Sequence, residues 1–156
     1  MIEEKKETIS IPGKWPLDQF GWKTEQKKLM GKFLENLKSK RILGLKCPKC
    51  GLVYTPPKPF CRCLGRPEEW VEVSDKGTVT TFVLTGEWAF RGFDEEAPKE
   101  KRTIVGVNFD GSDTVCLAAL MGVNPEDVDV GIRVKVKWPE KPEGALKDIL
   151  FVELER

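Results

Sequence analysis

The chain has 156 residues, 40% hydrophobic and 33% charged, with a net charge of +1, enough for one domain or two small ones with a real core. It contains no histidine, which excludes a Ser-His-Asp triad, a Cys-His pair and a His-ligated zinc and removes the usual general base near neutral pH. No apolar run approaches the roughly 20 residues of a membrane-spanning helix, and the opening MIEEKKETIS lacks the apolar stretch of a secretion signal. The chain is therefore expected in the cytoplasm, away from membranes, where thiols stay reduced.

Residues 1–17 read as extended, with Pro12, Gly13 and Pro16 interrupting any helix. TEQKKLMGKFLENLKSK (24–40) then places Leu29, Met30, Phe33, Leu34 and Leu37 on one helical stripe, with lysines over the other face. Thr24 suits the N-cap, and the lysines at 38–40 suit the negative end of the dipole. The stripe is either a core face or an exposed partner interface. RILGLKC (41–47) predicts a short strand running into a group of cysteines.

That group is CPKCGLVYTPPKPFCRC (47–63), with four of the five cysteines. Cys47-Pro-Lys-Cys50-Gly has the form of a zinc knuckle. Two cysteines two residues apart can turn both sulfurs to one ion, and glycine permits the tight turn that follows. The second pair, Cys61 and Cys63, is separated by Arg62 alone, one residue short of an ideal knuckle. The expectation is a distorted second knuckle with Cys63 as the fourth thiolate. Four soft ligands suit Zn²⁺ or a single iron; four free thiols are the alternative. A site filled by four protein ligands has no open position, so a structural role is expected. Cys116, inside VCLAAL, reads as a buried core residue.

Beyond the cysteines the pattern turns to strands. GTVTTFVLT (77–85), TIVGVNF (103–109), TVCLAAL (114–120), IRVKVKW (132–138) and DILFVEL (148–154) are β-branched or alternating runs. DGSD (110–113) has the residues of a hairpin turn, and NPEDV (124–128) those of a single helical turn. Five strands with a short helix between the third and fourth suggest a small closed barrel of the OB type. Arg133, Lys135 and Lys137 form a basic stripe, read as the solvated side of an edge strand or as a binding face. The connection 86–102, GEWAFRGFDEEAPKEKR, exceeds what a hairpin needs and is a candidate binding loop.

Charge is unevenly spread. Residues 1–46 carry eleven Lys/Arg against six Asp/Glu, and residues 71–156 eleven against seventeen. An acidic barrel disfavours the first alternative that an OB fold raises, a module gripping single-stranded nucleic acid through a basic groove and stacked aromatics.

Taken in order, the helix, CPKCG (47–51), the PPK of 56–58, Cys61, Glu69-Trp70 and GTVTTF (77–82) resemble the zinc-ribbon and OB-fold family that accompanies thiolases, from about GKW (13–15) to the C-terminus. The resemblance implies an α+β protein with an N-terminal helix and extension (1–45), a rubredoxin-like zinc ribbon (46–70) and a five-stranded OB-fold β-barrel (71–156). It implies structural Zn²⁺ on Cys47, Cys50, Cys61 and Cys63. It further implies a non-catalytic subunit that docks on a thiolase-like partner and helps to bind acyl-CoA or CoA. The extended SIPGKWPLDQFGW favours the stand-alone partner of a degradative enzyme, such as the benzoylsuccinyl-CoA thiolase of aromatic-compound breakdown. Candidate CoA contacts are Lys58, Trp88, Phe90, Arg91, Phe93, Lys99, Lys101 and Arg102. Leu29, Met30, Phe33, Leu34 and Leu37 are the candidate partner interface.

Overall fold

The computed structural model describes residues 29–85 and 103–155. Helix α1 spans Leu29–Leu37. Phe33 and Leu37, one turn apart, are completely buried, while Met30 and Leu34 flank them half-buried on the same core. The helix stops in a Schellman arrangement. Arg41 N–H donates to Asn36 O (3.1 Å), Lys40 N–H donates to Leu37 O (2.9 Å), and Lys40 takes φ 56°. The expected lysines thus lie beyond the last turn, and backbone geometry ends the helix. Thr24 and the stretch 24–28 lie outside the described residues.

Strand β1 (Ile42–Lys46) is the centre of a three-stranded antiparallel sheet between β2 (Val53–Tyr54) and β3 (Glu69–Val73). A side chain on Gly44 would collide with that of Val53 and lie 2.9 Å from Val73 and 3.0 Å from Thr55 Oγ1, so only glycine lets these strands sit so close. β2 has two residues and β3 is interrupted by glutamates. Neither shows the alternation by which strands are recognised in sequence.

The remaining strands are β4 (Lys76–Leu84), β5 (Thr103–Phe109), β6 (Val115–Leu120), β7 (Arg133–Val136) and β8 (Phe151–Leu154). They close into a barrel in the order β4–β5–β6–β8–β7, with β7 returning to β4. Every pairing is antiparallel except β6–β8. Gly111, at φ 93°, turns the chain between β5 and β6 within the expected DGSD, and Pro125–Asp127 forms the expected single turn as a 3-10 helix. Val79, Val105, Val107, Val134 and Val152 point inward and are completely buried. Helix, ribbon sheet and barrel share one core: Phe33, Leu37, Ile42 and Val73 pack in the same cluster as those valines.

Two strand expectations change. β7 pairs on both sides, with β4 and β8, so it is not an edge strand. The run 148–154 begins as a 3-10 turn, Leu146–Ile149, and only then becomes β8. The cause is Asp148, which is buried and accepts the N–H groups of Glu143 (3.3 Å), Gly144 (2.7 Å) and Ala145 (2.9 Å). A carboxylate so engaged fixes a turn. Among the described residues no helix is long and apolar enough to cross a membrane.

Candidate metal centre

The first knuckle leaves the end of β1. Cys47 N–H donates to Leu52 O (2.8 Å), and Gly51 N–H closes the turn on Cys47 O (2.8 Å) with φ 79°. The second knuckle makes up its missing residue in the backbone. Leu64 adopts the left-handed region (φ 63°), its N–H donates to Cys61 O (3.0 Å), and Cys61 N–H donates to Gly65 O (3.0 Å). Gly65 is required by proximity: a Cβ there would sit 2.9 Å from Cys47 Sγ and 3.2 Å from Cys63 Sγ. Spacing alone left the second knuckle in doubt because Cys61-Arg-Cys63 does not reveal a left-handed leucine.

The four Sγ atoms lie within 4.8 Å of one another. Cys47 and Cys63 are 3.6 Å apart, and Cys50 and Cys61 3.3 Å. A tetrahedral ion with metal–sulfur bonds of about 2.3 Å requires sulfurs about 3.8 Å apart. The donor set therefore fits Zn²⁺, and four thiolates leave no position for water or substrate. Among the described residues, no other group of three or more such side chains is placed to hold a metal.

Surrounding groups stabilise negative charge on sulfur. Tyr54 hydroxyl donates to Cys61 Sγ (3.1 Å) and accepts Arg62 N–H (3.3 Å). The Cys63 backbone N–H, then the Tyr54 hydroxyl, lower the Cys61 thiol to about 6. Cys50 moves the other way, to about 12. The Leu52 N–H, its largest single influence, favours the thiolate, but the Cys61, Cys63 and Cys47 sulfurs and burial outweigh it. Neighbouring thiolates repel one another until a cation joins them. Lys49 Nζ donates to Cys63 O (3.1 Å), tying one knuckle to the other. Tyr54 and Gly65 adjoin the sulfurs at positions that sequence reasoning missed.

The ribbon is stitched to the barrel at β2. Asp113 accepts Val53 N–H on Oδ2 (2.8 Å) and returns its own N–H to Val53 O (2.9 Å). Thr114 Oγ1 accepts Thr55 N–H (2.8 Å) and donates to Thr55 O (2.7 Å). Cys116 is buried, as expected, and its thiol donates to the same carbonyl (3.0 Å). Burial pushes that thiol up to about 11, so Cys116 stays protonated and inert near neutral pH.

Residues 35–69 match the family model described as the ChsH2 rubredoxin-like zinc ribbon domain, and residues 70–139 that of the ChsH2 C-terminal OB-fold domain. The chain belongs to the ChsH2 zinc-ribbon and OB-fold family. A DUF35 domain-containing scaffold protein of Methanocaldococcus jannaschii is 30% identical over 99 residues, covering 60% of this chain and 64% of the relative, under two thirds of its length. Two solved structures share the ChsH2-type fold. One is described as the Ltp2-ChsH2(DUF35) aldolase (TM-score 0.57, 20% identity, 79% of this chain and 91% of that one). The other is a DUF35-family protein of unknown function from Sulfolobus solfataricus (TM-score 0.59, 23% identity, 83% of this chain and 86% of that one).

The remaining sequence candidates are scattered. Lys58 is exposed, with its ammonium 5.8 Å from the centre of the Tyr54 ring. Trp88, Phe90, Arg91, Phe93, Lys99, Lys101 and Arg102 lie outside the described residues. Phe33 and Leu37 face this chain's own core, whereas Leu29, Met30 and Leu34 keep part of their surface in solvent. The basic stripe on β7 is largely neutralised. Arg133 grips Asp110 with two nitrogens (2.7 and 2.6 Å) and Glu155 with a third (3.0 Å), and Lys135 pairs with Glu153 (3.3 Å).

Proposed function

We propose that this chain is a non-catalytic accessory subunit of an acyl-CoA-processing complex. It docks on a thiolase-like catalytic partner and helps to hold acyl-CoA or CoA while the partner makes or breaks the carbon–carbon bond. The observation that carries this reading is the tandem ChsH2-type ribbon and barrel, locked through one core, in a chain without a histidine. The relative named a scaffold protein and the solved structure titled as an Ltp2–ChsH2 aldolase support it by analogy. In this reading Zn²⁺ on Cys47, Cys50, Cys61 and Cys63 holds the ribbon's shape, and the half-exposed Leu29, Met30 and Leu34 are the part of α1 left for a partner. Residues 86–102, the candidate binding segment of the sequence, supply further contacts to the acyl-CoA.

The test is co-expression with a thiolase-like protein from the same host. The expected result is a stoichiometric complex on size-exclusion chromatography and CoA-dependent cleavage that falls sharply when this chain is left out. A partner with full activity by itself, or no complex, overturns the reading.

A further inference from the structure

Between the end of β6 and the loop joining β7 to β8 lies a groove of ≈ 440 Å³, and a second of ≈ 360 Å³ adjoins it; Met121 and Lys137 line both. Volumes of this order suit a small organic ligand, about 300–1,000 Å³. The apolar side of the first groove comes from Met121, Trp138 and Phe151, and three lysines, Lys137, Lys141 and Lys147, line it with two carboxylates, Glu143 and Asp148. In OB barrels the loop between the last two strands is one of the elements that meet ligand. Of these residues only Lys137 figures in the sequence reading, in the basic stripe with Arg133 and Lys135; Trp138 reads there as the opposite face of the same strand.

The groove is held in shape before any ligand arrives. Trp138 is half-buried against the core, and its indole N–H donates to Asp75 Oδ2 (3.0 Å), which fixes the plane of the ring. The loop wall is fixed by Asp148, which itself lines the groove and whose carboxylate accepts three backbone N–H groups. Lys147 is paired with Glu143 (2.7 Å) and Lys135 with Glu153 (3.3 Å). Among the described residues Lys137 and Lys141 have no ion-pair partner. A rigid aromatic wall beside two lysines not held in ion pairs is complementary to a molecule with a flat ring and more than one negative charge.

We propose that this groove binds a nucleotide-class ligand, with its ring against Trp138 and its phosphates met by Lys137 and Lys141. The assignment stands apart from the accessory-subunit reading. It adds to that reading only if the nucleotide is the adenosine bisphosphate end of CoA.

The full-length, metal-loaded chain would be titrated with adenosine 3′,5′-bisphosphate, ATP, inorganic phosphate and a ten-nucleotide oligothymidylate. Binding would be followed by calorimetry and by amide chemical shifts. Saturable binding of a nucleotide is expected, with shifts gathered at Met121–Gly122 and residues 137–151. Lys137→Gln/Lys141→Gln should weaken it about tenfold or more, whereas Lys32→Gln/Lys46→Gln, equal in charge but on the helix and ribbon sheet, should leave it unchanged. Preference for the bisphosphate over ATP would identify the CoA-type end, and the reverse a triphosphate; both support the site. No saturable nucleotide binding, shifts centred elsewhere, phosphate binding as tightly as nucleotide, or tighter binding of the oligonucleotide would each overturn it. Because the partner is absent from this experiment, the accessory-subunit reading can fail or stand independently of it.

Discussion

Tyr54 shows how one side chain beside the cysteines can set the strength of the whole centre. Its hydroxyl donates to Cys61 Sγ and is itself held by Arg62 N–H. Partners of this kind typically contribute about 10–100-fold to metal affinity. Tyr54→Phe should therefore lose zinc to a colorimetric chelator at least about tenfold more readily than the parent, with the ring packing kept. Equal retention would mean that the hydroxyl only fills space. Arg133 carries a second prediction. It holds the Asp110 carboxyl below its usual range, mainly through its hydrogen bonds, and Lys76 together with Arg133 does the same for Glu155. Lowered carboxyl values stabilise the fold above the unfolded range near pH ~4, and that contribution disappears as pH falls through it. Thermal stability of the parent should drop from about pH 5 to 3, and Arg133→Met should flatten the drop while lowering the curve at neutral pH. Parallel curves for the two proteins would refute the assignment. Some of this was readable in advance and some was not. CPKCG declares its knuckle because proline, glycine and spacing are all local. The role of Gly65 depends on a sulfur from the other knuckle, and that of Arg133 on a turn twenty-three residues away, which no local pattern encodes.

At the scale of elements, the end of α1 and the middle of β1 each rest on one backbone position. Lys40 occupies the left-handed conformation that glycine adopts without penalty. Lys40→Gly should raise the unfolding free energy by about 0.5–1 kcal/mol, seen as a higher midpoint in urea; a lower midpoint would show that the lysine side chain matters more than its backbone. Gly44→Ala points the other way. The added methyl collides with Val53 and crowds Val73 and Thr55, so a loss of about 1–3 kcal/mol is expected. The five barrel strands were visible as β-branched runs, and the stripe of α1 as a period of three to four. β2 and β3 were invisible because their stability comes from being laid against β1 and the barrel. The start of 148–154 misled for a related reason: an apolar run following aspartate reads as strand, and only the three N–H groups folded back on Asp148 make it a turn.

The molecule as a whole behaves as one unit because its core and its hydrogen bonds both cross from ribbon to barrel. Removing metal should accordingly be felt far from the cysteines. With chelator present, the Trp138 indole N–H resonance is expected to broaden or vanish in the same thermal transition as the ribbon amides, at a lower temperature than in the metal-loaded protein. A barrel that melts unchanged after the metal is stripped would show two independent units. By the same logic a fragment of residues 71–156 should fail to give a dispersed spectrum, since it would lack Phe33, Leu37 and Ile42 from the core that the barrel shares with them.

The closed order of the barrel limits how this chain can join others. A sheet can recruit another backbone only along a strand with free hydrogen-bonding groups. Barrel closure removes that margin where β7 returns to β4, at Lys76–Thr78, and where β8 meets β6, at Ala119–Leu120. On the ribbon sheet the outer side of β2 is already taken by Asp113 and Thr114. On β3 exposed Glu69 and Glu72 are engaged by Lys46 and Arg41 and stand guard against strand addition. At these closed or guarded margins a partner would be met through side-chain shape and charge, a mode in which surface substitutions can retune specificity without touching the fold.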